Sequence, residues 1–197
     1  KSPQMTKICT GWDFGNLHIF GGFGGSGKTS MSFNKVIMSC IENKEKLLII
    51  ANEQSIEEFK KMLLVTAMGT GTKKSVKRQR LNEGNFTEEE KKKLTDAIQW
   101  VKDLCEGEYA LIKFIFMENY VIKDVKKVIK HYANRGYKSV MIDTGKPSDD
   151  DGSRHNEQRH ARFADDFKEL YKITRANGGG LNLRMWVNVQ LTDTALT

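Results

Sequence analysis

A glycine-rich stretch that ends in a lysine and a threonine carries the strongest chemical signal in the sequence. Residues 22 to 29 read Gly-Phe-Gly-Gly-Ser-Gly-Lys-Thr, a complete G-x-x-x-x-G-K-T motif directly after an apolar run, Leu17 to Phe20. Glycines let a backbone curl so that successive N–H groups point at phosphate oxygens, and a following helix adds its positive end. The motif and its context predict a phosphate-binding loop; the alternative is a chance glycine-rich turn before a helix.

This loop has an expected ligand and an expected cofactor, ATP and Mg²⁺. Lys28 would reach the β and γ phosphates as a point charge, and the Thr29 hydroxyl would ligate Mg²⁺ carried by the nucleotide. The residues predicted to surround the nucleotide are Gly22, Gly24, Gly25, Ser26, Gly27, Lys28, Thr29 and Ser30.

Two acidic residues follow apolar runs and are candidates for the remaining chemistry. Asp143 ends the run that begins at Val140, which suggests a carboxylate that supports the hydrated metal, although an Asp there could also be an ordinary cap. Glu53 lies just past the run Leu47 to Ala51, and Asp143 is followed by Thr144 rather than by Glu. Glu53 is therefore the predicted base that activates water, against the alternative of an exposed Glu ahead of a helix.

A third polar side chain ends the last apolar run. Residues 183 to 189 alternate apolar and polar types, and Gln190 follows them. Its amide could sense a γ-phosphate, whereas a Gln at a strand end is otherwise a plain solvent contact. We favour the sensor because the carboxyl ends of parallel strands meet at one edge of a sheet.

The elements that must position these residues alternate between strands and helices. Strands are predicted at Leu17 to Phe20, Leu47 to Ala51, Leu111 to Phe116, Ser139 to Asp143 and Arg184 to Gln190. Among the helical patterns between them, Thr87 and Glu90 form a capping box, followed by an apolar stripe of Leu94, Ile98, Val101 and Cys105. This alternation indicates an α/β fold, a mostly parallel sheet with helices on both faces.

Composition limits the class of protein. The 197 residues predict a single domain over 1–197, and no stretch is apolar enough to span a membrane. The three cysteines form no C-x-x-C pair, which argues against a disulfide framework or a zinc site and favours a reducing cytoplasm. The net charge of +7 is compatible with a polyanionic partner.

Taken in order, the motifs resemble the RecA-like motor of DnaB-type replicative helicases. The resemblance rests on the phosphate loop, Ile50-Ala51-Asn52-Glu53, Ile142-Asp143 and Val189-Gln190-Leu191, and on two further segments, Thr10 to Asp13 and Arg80 to Glu89. It implies a RecA-like P-loop NTPase fold and an ATP-dependent DNA helicase that pulls single-stranded DNA through a hexameric homo-oligomeric ring. It also implies primase or a helicase loader as partner. In this family pattern Lys28 and Thr29 bind phosphate and metal, Glu53 activates water, Asp143 supports Mg²⁺ and Gln190 is the sensor.

The resemblance also sets expectations about DNA and about the rest of the protein. Channel loops in such rings follow the strand that ends in the metal-binding Asp, so Lys146, Arg154 and Arg159 are the candidate DNA contacts. No arginine finger or main DNA loop is seen before Thr197, so the chain is expected to be part of a longer motor. The alternatives are a RecA-like recombinase or clock-type ATPase, and a regulatory switch that binds ATP without turnover.

Overall fold

Five parallel strands form the centre of the molecule. The computed structural model describes residues 12–69, 83–146 and 156–191. The strands are β1 (Asn16–Gly22), β2 (Leu47–Ala51), β3 (Ile112–Phe116), β4 (Ser139–Gly145) and β5 (Arg184–Gln190). Their order across the sheet is β1-β5-β4-β2-β3, and every neighbouring pair is parallel. The predicted parallel α/β sheet is confirmed.

Helices connect the strands. The segment after the glycine-rich loop, named α1 here, has three parts: an α-helical turn (Lys28–Ser32), a π-helical turn (Phe33–Ile37) and a second α-helical turn (Met38–Glu42). The other helices are α2 (Ile56–Gly69), α3 (Glu88–Cys105), α4 (Ile122–Ala133) and α5 (Asn156–Thr174). Within the described residues, no helix has the length and apolar character needed to cross a membrane.

The sheet buries an apolar layer on each face. Successive side chains of a strand point to opposite faces, so Leu48 and Ile50 pack in one cluster while Leu47 and Ile49 pack in the other. The first cluster includes Val125 of α4 and Leu170 of α5, and the second includes residues of α1, α2 and α3. Burial on both faces explains why β2 is apolar at all five positions.

The elements extend somewhat differently from the prediction. β1 and β4 each continue two residues further, to Gly22 and Gly145, so the start of the glycine-rich motif belongs to the sheet. β3 begins one residue later than predicted, at Ile112. The added residues matter because they carry the strand ends up to the phosphate loop and past Asp143.

Helix α3 has the predicted start and a different buried face. The Thr87 hydroxyl accepts from the Glu90 N–H at 3.3 Å, and the Glu90 carboxylate accepts from the Thr87 N–H at 2.9 Å, so the capping box is confirmed. The predicted stripe is wrong at Ile98, which is 39% exposed, because the buried face also runs through Ala97 and Leu104. Small Ala97 packs against Met68 of α2 and turns Ile98 towards solvent.

Candidate nucleotide-binding and active site

The strand order brings the predicted site residues to one edge of the sheet. β5 lies between β1 and β4, with Gly22 paired to Gln190 at its end. On the other side of β4, Ala51 is paired to Asp143. The carboxyl ends of β1, β5, β4 and β2 are therefore adjacent. In that order they carry the glycine-rich loop, Gln190, Asp143 and the segment that leads to Glu53.

The glycine-rich loop has the backbone that its sequence predicts. A Cβ on Gly22 would lie 2.7 Å from the Ser26 hydroxyl oxygen, so a side chain does not fit there without displacement. Gly25 and Gly27 have φ angles of 71° and 84°, in the left-handed region that favours glycine. Gly27 is also the N-cap of α1 and has no side chain to cap it, which leaves the first helix N–H groups available to an anion bound by the loop.

Lys28 folds back over this loop. Its side chain is largely buried, and Nζ donates to the carbonyl oxygens of Gly22 at 2.9 Å and Phe23 at 2.8 Å. Both carbonyls belong to the loop itself, so the ammonium sits at the place where an incoming phosphate would compete for it. A phosphate oxygen is a stronger partner than a neutral carbonyl because both groups are then charged.

The loop and β4 are joined by a direct hydrogen bond. The Thr29 hydroxyl donates to Asp143 Oδ2 at 3.1 Å, and the Asp143 side chain is nearly buried. A hydroxyl and a carboxylate at this spacing offer the hard oxygen ligands that Mg²⁺ prefers, with the remaining positions open to phosphate and water. These two residues therefore fit the expected cofactor.

Glu53 is connected to the same place through Thr144. The Thr144 hydroxyl oxygen lies 3.3 Å from Glu53 Oε2 and 3.3 Å from Asp143 Oδ1. Asn52 holds the two strand ends together, since its amide donates to the Thr144 carbonyl at 2.7 Å and accepts from the Thr144 N–H at 3.2 Å. The Glu53 side chain itself is exposed, so water reaches it.

Gln190 approaches the loop from the end of β5. Its Nε2 lies 3.3 Å from the position that a Cβ on Gly24 would occupy, and its side chain is exposed. The absence of a side chain on Gly24 thus leaves room for the amide beside the loop. This places a donor next to the predicted phosphate position.

Four further residues were candidates from the sequence: Ser30, Lys146, Arg154 and Arg159. Ser30 is exposed on α1, where its carbonyl accepts from the Asn34 amide at 3.0 Å. Lys146 follows the end of β4 and is partly buried. Arg154 lies outside the described residues, and for Arg159 only the backbone, within α5, is described. The described part of the chain therefore does not test whether the three predicted DNA contacts lie close together.

Sequence reasoning missed a buried polar group beneath Asp143. Asn188 of β5 is fully buried and its Nδ2 donates to Asp143 Oδ1 at 2.9 Å. Its amide oxygen accepts from Ser32 of α1 and from the Trp186 indole. An Asn in the middle of a strand flanked by Val187 and Val189 was the available signal, because strands disfavour Asn and a central strand buries it.

Comparisons with known proteins identify the family of this chain. Residues 2–175 match the model of the DnaB-like helicase C terminal domain. Two solved structures have a similar fold at 17% identity: a DnaB-like replicative helicase described with its interactions with primase, at a TM-score of 0.72, and a second protein's ATPase domain, at 0.74. Each likeness covers 98% of this chain, which spans 43% and 63% of those chains, respectively. No curated protein matches this chain. With the family model covering most of its length, the chain belongs to the family of DnaB-like helicase C-terminal domains.

Proposed function

We propose that this chain is the ATP-hydrolysing motor domain of a replicative DNA helicase. The observation that carries the proposal is the bond from Thr29 of the phosphate loop to Asp143 of β4, with Glu53 linked to the same carboxylate through Thr144. A loop that binds phosphate, a metal-binding pair and a candidate base then share one edge of the sheet. Membership of the DnaB-like family supports the assignment.

The loop and the metal pair would hold the nucleotide. Lys28 would exchange the Gly22 and Phe23 carbonyls for phosphate oxygens, and the N–H groups around Gly27 would surround the same anion. Thr29 and Asp143 would hold Mg²⁺, which when bound supplies positive charge to the β and γ phosphates.

Glu53 would act on the attacking water. The carboxylate orients a water molecule and accepts its proton as the water oxygen bonds to the γ-phosphorus; the bond from that phosphorus to the β,γ-bridging oxygen breaks, leaving ADP and phosphate. Gln190, beside Gly24, would donate to the γ-phosphate and lose that partner when phosphate leaves. The end of β5 would therefore make a hydrogen bond in the ATP state that it lacks in the ADP state.

The wider assembly is also a proposal. A hexameric homo-oligomeric ring with primase or a loader as partner is supported by the family. The net charge of +7 supports the binding of single-stranded DNA, which is a polyanion. One similar helicase is itself described with its primase interactions. Particle size with ATP and Mg²⁺ separates a six-membered ring from the filament of a recombinase.

Replacement of the proposed base tests the hydrolytic role. Glu53→Gln keeps the shape of the side chain and removes its ability to accept a proton, so phosphate release should fall at least about a hundredfold. ATP binding should persist, because Glu53 does not belong to the phosphate loop. The measurement is phosphate release with ATP and Mg²⁺, alongside ATP affinity by calorimetry.

A nearby carboxylate provides the control. Glu57 stands in the first turn of α2, four residues further on, and Glu57→Gln should leave phosphate release within about twofold of the unchanged chain. If Glu53→Gln hydrolyses ATP as fast as Glu57→Gln, Glu53 is not the base. If the full-length protein binds ATP and releases no phosphate, the regulatory switch is the better description.

A further inference from the structure

Asn188 has a fully buried side-chain amide whose nitrogen and oxygen both have hydrogen-bond partners. Burying an amide without hydrogen-bond partners is unfavourable, so its contacts decide whether it is tolerated. Here Nδ2 donates to Asp143 Oδ1 at 2.9 Å, while Oδ1 accepts from the Ser32 hydroxyl at 2.7 Å and the Trp186 indole at 2.9 Å. The amide therefore links the carboxylate of the candidate metal site to two groups deeper in the core.

The direction of this network is fixed by the indole. A Trp N–H can only donate, and Trp186 Nε1 lies 2.9 Å from both Ser32 Oγ and Asn188 Oδ1. The amide oxygen of Asn188 must then face Trp186, so its NH₂ group faces Asp143. Rotating the amide by 180° would set two donors against each other and leave Asp143 opposite an oxygen.

The network leaves one carboxylate oxygen of Asp143 for the nucleotide side. Oδ1 is held by Asn188 and contacted by Thr144, whereas Oδ2 accepts from Thr29 of the phosphate loop. The terminal torsion of an Asp is broad and roughly two-fold, so an unanchored carboxylate turns easily. The bond from Asn188 restricts that turn and keeps Oδ2 towards Thr29.

We propose that Asn188 is a positioning residue that sets how strongly Mg²⁺ is held with the nucleotide, by fixing the orientation of the Asp143 carboxylate. The inference rests on the proposed nucleotide site and adds to it a residue outside the sequence motifs. Groups that orient metal ligands typically change metal affinity about 10- to 100-fold when removed. A purely structural Asn188 would change the stability of the fold and leave the dependence on Mg²⁺ as it was.

The test compares ADP affinity with Mg²⁺ and with EDTA. The quantity of interest is the gain in ADP affinity that Mg²⁺ provides, measured by calorimetry on the full chain. Asn188→Ala should reduce this gain by about tenfold or more and leave the affinity in EDTA within about twofold. This pattern places the defect at the metal rather than at the phosphate loop.

Ser32→Ala is the matched control. It removes two buried hydrogen bonds of the same network, one to Asn188 and one from Trp186, while the Trp186 indole still faces the Asn188 oxygen and preserves the amide orientation. The Mg²⁺ gain should therefore be retained. A full gain in Asn188→Ala, or an equal loss in Ser32→Ala, would overturn the proposal.

Trp186→Phe serves if Asn188→Ala does not fold. It keeps Asn188 and removes the partner that can only donate. The remaining Ser32 hydroxyl can accept as well as donate and so does not fix the amide by itself. Part of the Mg²⁺ gain should therefore be lost, and an unchanged gain in the folded variant would overturn the proposal.

The proposed motor function and the proposed role of Asn188 can fail separately. If ADP binds with a Mg²⁺ gain but ATP is not hydrolysed, the motor function is overturned and the role of Asn188 is still tested by the same measurement. If ADP does not bind at all, both proposals are overturned.

Discussion

Thr144 carries one hydroxyl proton and contacts two carboxylates. Its oxygen lies 3.3 Å from both Glu53 and Asp143, so it can donate to only one of them at a time. Because Thr144 is nearly buried and its backbone is held by Asn52, the hydroxyl stays between the two acids. At the residue scale, this contact connects the proposed base to the proposed metal ligand Asp143.

Removing that hydroxyl should slow the chemistry more than it weakens binding. Thr144→Val has nearly the same shape and suits a strand, but Glu53 loses its donor, so phosphate release should fall about tenfold, close to 1.4 kcal/mol. ADP affinity with Mg²⁺ should stay within about threefold. Thr174→Val, which loses a hydroxyl bond to the Tyr171 carbonyl away from the site, is the control. Equal rates in the two variants would show that Thr144 does not position the base.

At the scale of elements, α4 and α5 are joined by a charged contact on the sheet face opposite α1. Glu169 of α5 accepts from Lys126 of α4 at 2.5 Å and from Lys172 of its own helix at 2.7 Å. Hydrogen bonds from Lys126 and then Lys172 lower the pKa of the Glu169 carboxyl from 4.5 to about 2. The Lys126 and Glu169 side chains are 26% and 36% exposed, so the pair contributes under about 1 kcal/mol to stability.

This pKa gives the contact a defined pH range. The folded pKa of Glu169 is lower than its unfolded value, so the stabilisation is complete above about pH 4.5 and is lost as the pH falls towards 2. Glu169→Gln should therefore lower the free energy of unfolding at pH 7, and the difference should shrink as the pH falls below about 4.5. Urea unfolding measures it, with Asp165→Asn, whose partner Lys168 lies on the same helix, as the control. A difference that grows on acidification would contradict the assignment.

For the whole molecule, the site is assembled from distant parts of the chain. β5 is the last strand in sequence, yet it lies between β1 and β4 and places Asn188 and Gln190 between the loop and Asp143. The candidate site is therefore complete only when β1, β2, β4 and β5 have packed into one sheet. Under the proposed function, loss of the γ-phosphate would change the contacts of β5, which is a central strand of the sheet.

The charge of the whole molecule leads to a prediction about DNA. Single-stranded DNA should stimulate ATP hydrolysis by the proposed helicase, and because Lys and Arg bound to phosphates release counterions, the stimulation should fall steeply between about 50 and 200 mM salt. Phosphate release at several salt concentrations measures this, and hydrolysis without DNA at each concentration is the control. No stimulation at the lowest concentration would argue against a helicase.

Features that depend on residues close together in the chain could be predicted from the sequence. The G-x-x-x-x-G-K-T motif, the apolar runs that end at Ala51 and Asp143, and the capping box at Thr87 depend on neighbours within a few residues, so pattern reading located them. The burial of Ile98 was predicted wrongly, because which face of α3 is buried depends on the packing of Ala97 against another helix.

Only the tertiary structure decided which groups meet. Strand order put β5 between the loop and Asp143, and it brought Asn188 within 2.9 Å of a carboxylate 45 residues away. Contacts of this kind have no periodicity in the sequence, since they arise where two strands that are distant along the chain become neighbours. The sequence alone determined the chemical groups available to a nucleotide, and the packing of the sheet determined how those groups are oriented.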